Sequence, residues 1–190
     1  MQTILNDSST TCQWTTVNTK DAVESAAKVL SRAPHVFLDC EGRDLGCVGG
    51  ALSIISLGTP QGSIYLVDVL AFQQPPLTFD DLNPILSILK GTDVMKIIWD
   101  GRNDYLELQE TLGVNIEYVL DLQLVDIRSR EIRGLKPERL RRLARRHMKV
   151  SDIRAIEHQG LHALSGMNQA IKEHGISSAL KDGTSQYLLN

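Results

Sequence analysis

No run of apolar residues in this chain approaches the roughly 20 needed to span a bilayer, so a membrane-crossing helix is not expected. Met1 to Thr11 is polar and lacks the hydrophobic stretch of a secretory signal. Cysteine is scarce. Cys12, Cys40 and Cys47 are odd in number and lack metal-ligand spacing, which argues against a disulfide framework and for a reducing, intracellular setting, nucleus or cytoplasm undetermined. An excess of charge of one sign is also missing. The net charge is −3, so any attraction to a polyanion has to be local. The chain has no internal repeat and no low-complexity tract.

What is present suits an ordinary globular protein. The 190 residues, 42% hydrophobic and 23% charged, are enough for one domain with a substantial core. Residues 1–12 read as a disordered lead-in, 13–176 as the folded domain and 177–190 as a tail. Trp14 to Val17 suits a short strand, and Asp21 to Ser31 a helix with Val23, Ala26, Ala27 and Leu30 at helical spacing. His35-Val36-Phe37-Leu38 is a short buried strand in pattern. Ala51–Leu57 and Ser63–Val69 follow, joined by the turn Gly58-Thr59-Pro60-Gln61-Gly62. The three segments predict an antiparallel meander.

The order then changes to strand–helix alternation: a helix over Phe79–Leu89, a strand over Val94–Trp99, and a helix over Arg102–Leu112 closed by Gly113. Tyr118–Leu124 resumes strand or buried character. The expected class is α/β, a mixed sheet flanked by helices. A helix is expected over Pro137–Met148, a loop or short helix over Ser151–Gly160, and another helix over Leu161–His174, stopped by Gly175.

The most informative feature is Asp39-Cys40-Glu41 at the end of the first buried strand. Side chains two apart on a strand share a face, about 7 Å apart at the backbone. Two carboxylates so placed repel each other, and a hard divalent cation would resolve the conflict. The plain alternative is that both acids lie at a strand end in water. A third acid, Asp104, follows the strand that ends at Trp99 and shares a helix face with Leu108 and Leu112. It should therefore point inward. The alternative is a first-turn acid favoured by the helix dipole. Cys40 points opposite Asp39, as a small core residue would.

Taken in order, these pieces resemble the DEDD family of 3′–5′ exonucleases, which has a ribonuclease-H-like fold. Val36-Phe37-Leu38-Asp39-Cys40-Glu41-Gly42 with Leu45-Gly46 resembles the first motif, and Met95-Lys96-Ile97-Ile98-Trp99 with Asn103-Asp104 the second. Val119-Leu120-Asp121-Leu122-Gln123 resembles the following strand. The first motif is most similar to the RNase D-like and Egalitarian-like branches. The resemblance implies that Asp39, Glu41 and Asp104 bind two magnesium or manganese ions, activating water on a terminal phosphodiester and stabilising the leaving 3′ oxygen. It implies that Gly42 lets a terminal nucleotide approach the backbone, and that Asp121 is structural or supports the ligands from behind. Trp99 stands where many RNase D-like members carry histidine.

The family's third motif, Tyr-x-x-x-Asp or His-x-x-x-x-Asp on a late helix, has no Tyr match after residue 121. His147 and Asp152 match by count, but His147 ends the helix expected before the motif helix, one element too early. Two expectations stay open: a chain that stops short of the motif, or a domain with weakened or absent catalysis. Residues 128–149 hold ten of the twenty Lys and Arg. Arg141, Arg142, Arg145 and Arg146 in that stretch can neutralise phosphates; the alternative is a solvated amphipathic helix. Few aromatics accompany them, so base stacking has little support. His158, His162 and His174 lack ligand spacing and read as surface residues. The functional expectation is a metal-dependent exonuclease domain acting on the 3′ end of RNA or DNA. The alternative is an inactive, nuclease-derived module that binds RNA or a protein. The sequence does not fix the oligomeric state.

Overall fold

The computed structural model describes residues 12–134 and 162–176, with 143, 149 and 151. The lead-in, the tail, nearly all of the Pro137–Met148 helix and of the Ser151–Gly160 segment, His147, Asp152, His158 and the four arginines Arg141, Arg142, Arg145 and Arg146 lie outside the described residues. The chain divides after Asp121 into two compact units.

The first unit is built on a six-stranded sheet of order β1-β4-β3-β2-β5-β6. Its strands are β1 (Gln13–Val17), β2 (His35–Arg43), β3 (Ala51–Gly58), β4 (Ser63–Asp68), β5 (Met95–Ile98) and β6 (Val119–Asp121). β2, β3 and β4 form the antiparallel meander, while β1 runs parallel to β4 and β5 and β6 continue parallel from β2. The mixed α/β sheet expected from the sequence is thus present.

Strict alternation on β2 decides which residues meet the core. Val36, Leu38 and Cys40 are buried, while Phe37, Asp39 and Glu41 are exposed on the other face. The buried face continues through Leu52, Ile55 and Leu57 of β3, Val67 of β4 and Ile98 of β5. Helix α1 (Lys20–Leu30) lays Val23, Ala26, Ala27 and Leu30 into this core, and α2 (Asn83–Lys90) adds Ile85, Leu86 and Leu89. Each large aliphatic side chain so buried contributes about 1.5–3 kcal/mol. Thr19 caps α1 through its side chain, accepting the Ala22 N–H.

Two predicted elements differ. The helix expected over Phe79–Leu89 is a single 3₁₀ turn, Phe79–Leu82, followed by α2. Pro84 has no N–H for a bond back to residue 80, so it sits in the first turn of a new helix. The strand expected over Tyr118–Leu124 ends at Asp121. Helix α3 (Arg102–Leu112) matches its predicted span, and Gly113 takes the left-handed conformation that ends it.

The second unit contains α4 (Leu122–Ile132) and α5 (Met167–Glu173). No apolar period marks α4, for its buried residues are polar: Gln123, Asp126 and Arg130. The helix expected from Leu161 starts at Met167 instead, and Gly175 follows it with φ +66°. No helix among the described residues is long and apolar enough to cross a membrane.

Candidate active site

The two neighbours of β2, antiparallel β3 and parallel β5, differ in reach. β5 pairs with β2 only from His35 to Phe37, whereas β3 pairs from Phe37 to Arg43. The later half of β2 therefore has one edge without a strand partner. Helix α3 supplies the missing acceptor: Asp104 Oδ1 accepts the Cys40 N–H at 3.1 Å. Asp104 is only 8% exposed, so it points inward, as its helical register predicted.

That position brings like charges together. Burial, and then the neighbouring Asp39 charge, push the Asp104 carboxyl above its usual range, against the pull of the Cys40 N–H. Burial and the charges of Asp104 and Asp39 likewise push the Cys40 thiol up, leaving it a protonated core residue. Glu41 shares the exposed face of Asp39, one pleat further along β2.

Among the described residues no three of His, Cys, Asp and Glu are grouped so that together they could hold a metal ion. The donor set nonetheless fits a hard divalent cation. It consists of carboxylate oxygens only, and Asp39 and Asp104 carry a mutual repulsion that a cation would relieve.

Supporting groups surround the acids. Gly42 follows a register shift in the β2–β3 ladder, and a side chain there would run into the Ala51 carbonyl oxygen. Glycine is thus needed at residue 42 by the fold itself. Asp121 accepts the Asp100 N–H at 3.1 Å. Asp100 has φ +57°, and Arg102 grips its carboxylate at 2.6 and 3.0 Å. Asp121 therefore braces the turn that launches α3.

Sequence reasoning missed Glu107. It lies one turn beyond Asp104 on α3, is 3% exposed, and accepts the Gly46 N–H at 3.1 Å and the Thr111 hydroxyl at 2.8 Å. The available signal was its i+3 spacing from Asp104. Lys96, also missed, is fully buried and donates to the Ile88 and Gly91 carbonyls at the end of α2. Burial lowers its pKa.

The second unit has its own polar cluster. Asp126 and Arg130, at 2% and 3% side-chain exposure, pair at 3.2 Å. His174 meets Asp126 at 3.1 Å. Against the penalty of burial, the His174 hydrogen bond and the Arg130 charge hold Asp126 below the usual carboxylate range. Arg130 also donates to the Ala163 carbonyl, and Gln123 to that of Ser165. His162 lies 3.3 Å from Glu131. His162, half-buried, and His174, at the surface, thus each have an acidic partner.

Fold and site together define an α/β domain of the ribonuclease-H-like class, with an acidic site on the later half of its central strand. The chain belongs to the 3′–5′ exonuclease family, whose model matches residues 14–153. No curated protein matches it in sequence. Among solved structures, RNase D of Trypanosoma brucei in complex with RNA U12 is 27% identical with a TM-score of 0.54, over 62% of this chain and 40% of that one. The EXD2 exonuclease domain soaked in Mn and GMP is 22% identical with a TM-score of 0.53, over 63% and 61%. The catalytic core of RRP6 from Trypanosoma brucei is 21% identical, also at 0.53, over 64% and 32%. The last two likenesses bear on the fold alone. The chain covers well under half of the RNase D it matches.

Proposed function

We propose that this chain is a metal-dependent 3′–5′ exonuclease domain that hydrolyses nucleic acid, with Asp39, Glu41 and Asp104 as cation ligands. The observation that carries the reading is the approach of Asp104 to β2. A buried carboxylate is fixed on the Cys40 amide within the field of Asp39. Magnesium or manganese bound there would supply a water of lowered pKa and charge stabilisation at the leaving oxygen. The chain's own part is to orient three carboxylates from two elements and to keep Asp104 out of bulk solvent. The family match and the RNA held by the RNase D relative support a nucleic-acid 3′ end as substrate.

The test is digestion of a labelled single-stranded RNA or DNA with magnesium or manganese. Shortening from the 3′ end is expected, and Asp39→Ala should lower it at least about 100-fold, the scale of losing one electrostatic contributor in a pre-organised site. No digestion at high protein with either metal would remove the reading.

One observation favours a second reading, a module that binds nucleic acid without cutting it: among the described residues no three of His, Cys, Asp and Glu are grouped to hold a metal ion. It calls for salt-sensitive RNA binding that survives Asp39→Ala and weakens when Arg141, Arg142, Arg145 and Arg146 become Ala. Binding indifferent to those four changes eliminates it.

A further inference from the structure

We propose that Glu107 is a positioning residue: its carboxylate fixes the loop after β2 against α3 and so sets how Glu41 stands relative to Asp104. The proposal rests on the cation-site reading above, because that spacing matters to function only if the acids share a cation.

The loop from Asp44 to Gly50 folds as two successive turns. The Cys47 N–H donates to the Asp44 carbonyl at 3.0 Å, and the Gly50 N–H to the Cys47 carbonyl at 2.9 Å. These bonds use loop carbonyls internally, while the Gly46 N–H points to Glu107 Oε2. Backbone and helix are in close contact. A side chain at Gly46 would come within 2.9 Å of the Asn103 backbone, and one at Gly50 within 2.8 Å of Glu107 Oε2. The loop therefore approaches α3 closely at two glycines and is bonded to it at Gly46, through a Glu107 carboxylate whose other oxygen is held by Thr111.

Glu107 and Asp104 are three residues apart and share a helix face. Only Gly42 and Arg43 separate Glu41 from the fastened loop. Asp104 holds β2 at Cys40, and Glu107 holds the chain again at Gly46. Glu41 lies between these two points. A cleft of about 380 Å³ lies between the Gly46–Gly50 loop and the helix residues Leu106, Glu107 and Thr111. With Glu107 gone, the loop has room to shift along this seam, and its half-buried Gly46 amide loses its acceptor.

The full chain, Glu107→Gln and Glu107→Ala are compared by titrating manganese, with bound metal read by calorimetry and RNA shortening read separately. Glutamine can keep both bonds, its oxygen accepting from Gly46 and its amide donating to the Thr111 oxygen, while it removes the charge. Glu107→Ala should weaken manganese binding about 10- to 100-fold, as loss of a group supporting metal ligands does, and shortening should recover in part at high manganese. Glu107→Gln should stay within about threefold of the parent on the same scale. A folded Glu107→Ala protein that binds manganese normally would overturn the proposal. So would Glu107→Gln as impaired as Glu107→Ala, because the charge would then act directly. If Glu107→Ala does not fold, Thr111→Val should weaken binding in the same direction, and no change there is equally fatal. A parent chain that binds no manganese also overturns it. One that binds manganese but leaves RNA intact sinks only the exonuclease reading.

Discussion

Replacing Asp104 by Asn separates the stability of this fold from its chemistry. Asn keeps an oxygen that can accept the Cys40 N–H, so the helix-to-strand contact survives. What disappears is a buried charge that Asp39 opposes. Two unit charges about 6 Å apart, the outer end of the range over which like charges shift each other's pKa, repel by about 3 kcal/mol at an effective dielectric near 20. Asp39 is exposed, and water and salt screen the pair, so about 1 kcal/mol should remain. In chelator at neutral pH the Asn variant should be more stable by that amount, or about 2–4 °C in Tm for a chain of this size. The pH dependence has a definite sign. Asp104 has a raised pKa in the folded state, so its contribution to stability is present below the ordinary carboxylate range and lost as pH rises through the raised value. The gap between parent and variant should therefore widen from acid to neutral pH. Magnesium at ten times its dissociation constant should stabilise the parent by about 1.4 kcal/mol and the variant hardly at all. Differential scanning fluorimetry from pH 4 to 8, with chelator or magnesium, reads all three effects. An Asn variant less stable than the parent in chelator, or equally stabilised by magnesium, would refute the reasoning.

Other perturbations probe the frame around the acids. Gly42→Ala drives a methyl group into the Ala51 carbonyl and should cost about 2 kcal/mol or more, seen as a lower urea midpoint; an unchanged midpoint would show that the β2–β3 register can slip. Asp126→Ala leaves Arg130 buried without its charge partner and should destabilise by about 3–5 kcal/mol, measured by thermal unfolding. Lys96→Met tests the buried amine at the end of α2. A Lys with a lowered folded pKa lends stability at high pH and loses it as pH falls through that pKa. The parent should therefore gain on the variant as pH rises into the ordinary lysine range in urea titrations, and a flat difference would contradict the assignment.

The alternation of β2 was legible because one face is core and the other carries acids, so a period of two survives along the strand. Asp104 was legible for the same reason, its spacing from Leu108 revealing the inward side of α3. Helix α4 was not. It buries Gln123, Asp126 and Arg130 while Leu124, Val125 and Ile132 are exposed. Hydrogen bonds to Ser165, Ala163 and His174 replace apolar packing there, and no hydrophobic period signals them. Glu107 escaped because an acid on a helix reads as solvated unless its partner is known. That partner, the Gly46 amide, lies 61 positions away. Lys96 escaped in the same way, through carbonyls that the end of α2 leaves unpaired.

The period of two along β2 has a consequence for folding. A slip of the strand by a single residue would turn Asp39 and Glu41 into the apolar interior and put Cys40 outside. Such a misthreaded state would have to dehydrate two ionised groups at once, so it lies far above the native one in free energy. The same acidic pair proposed to serve hydrolysis therefore also proofreads the threading of the central strand. A variant that loses both charges should lose that safeguard along with its chemistry.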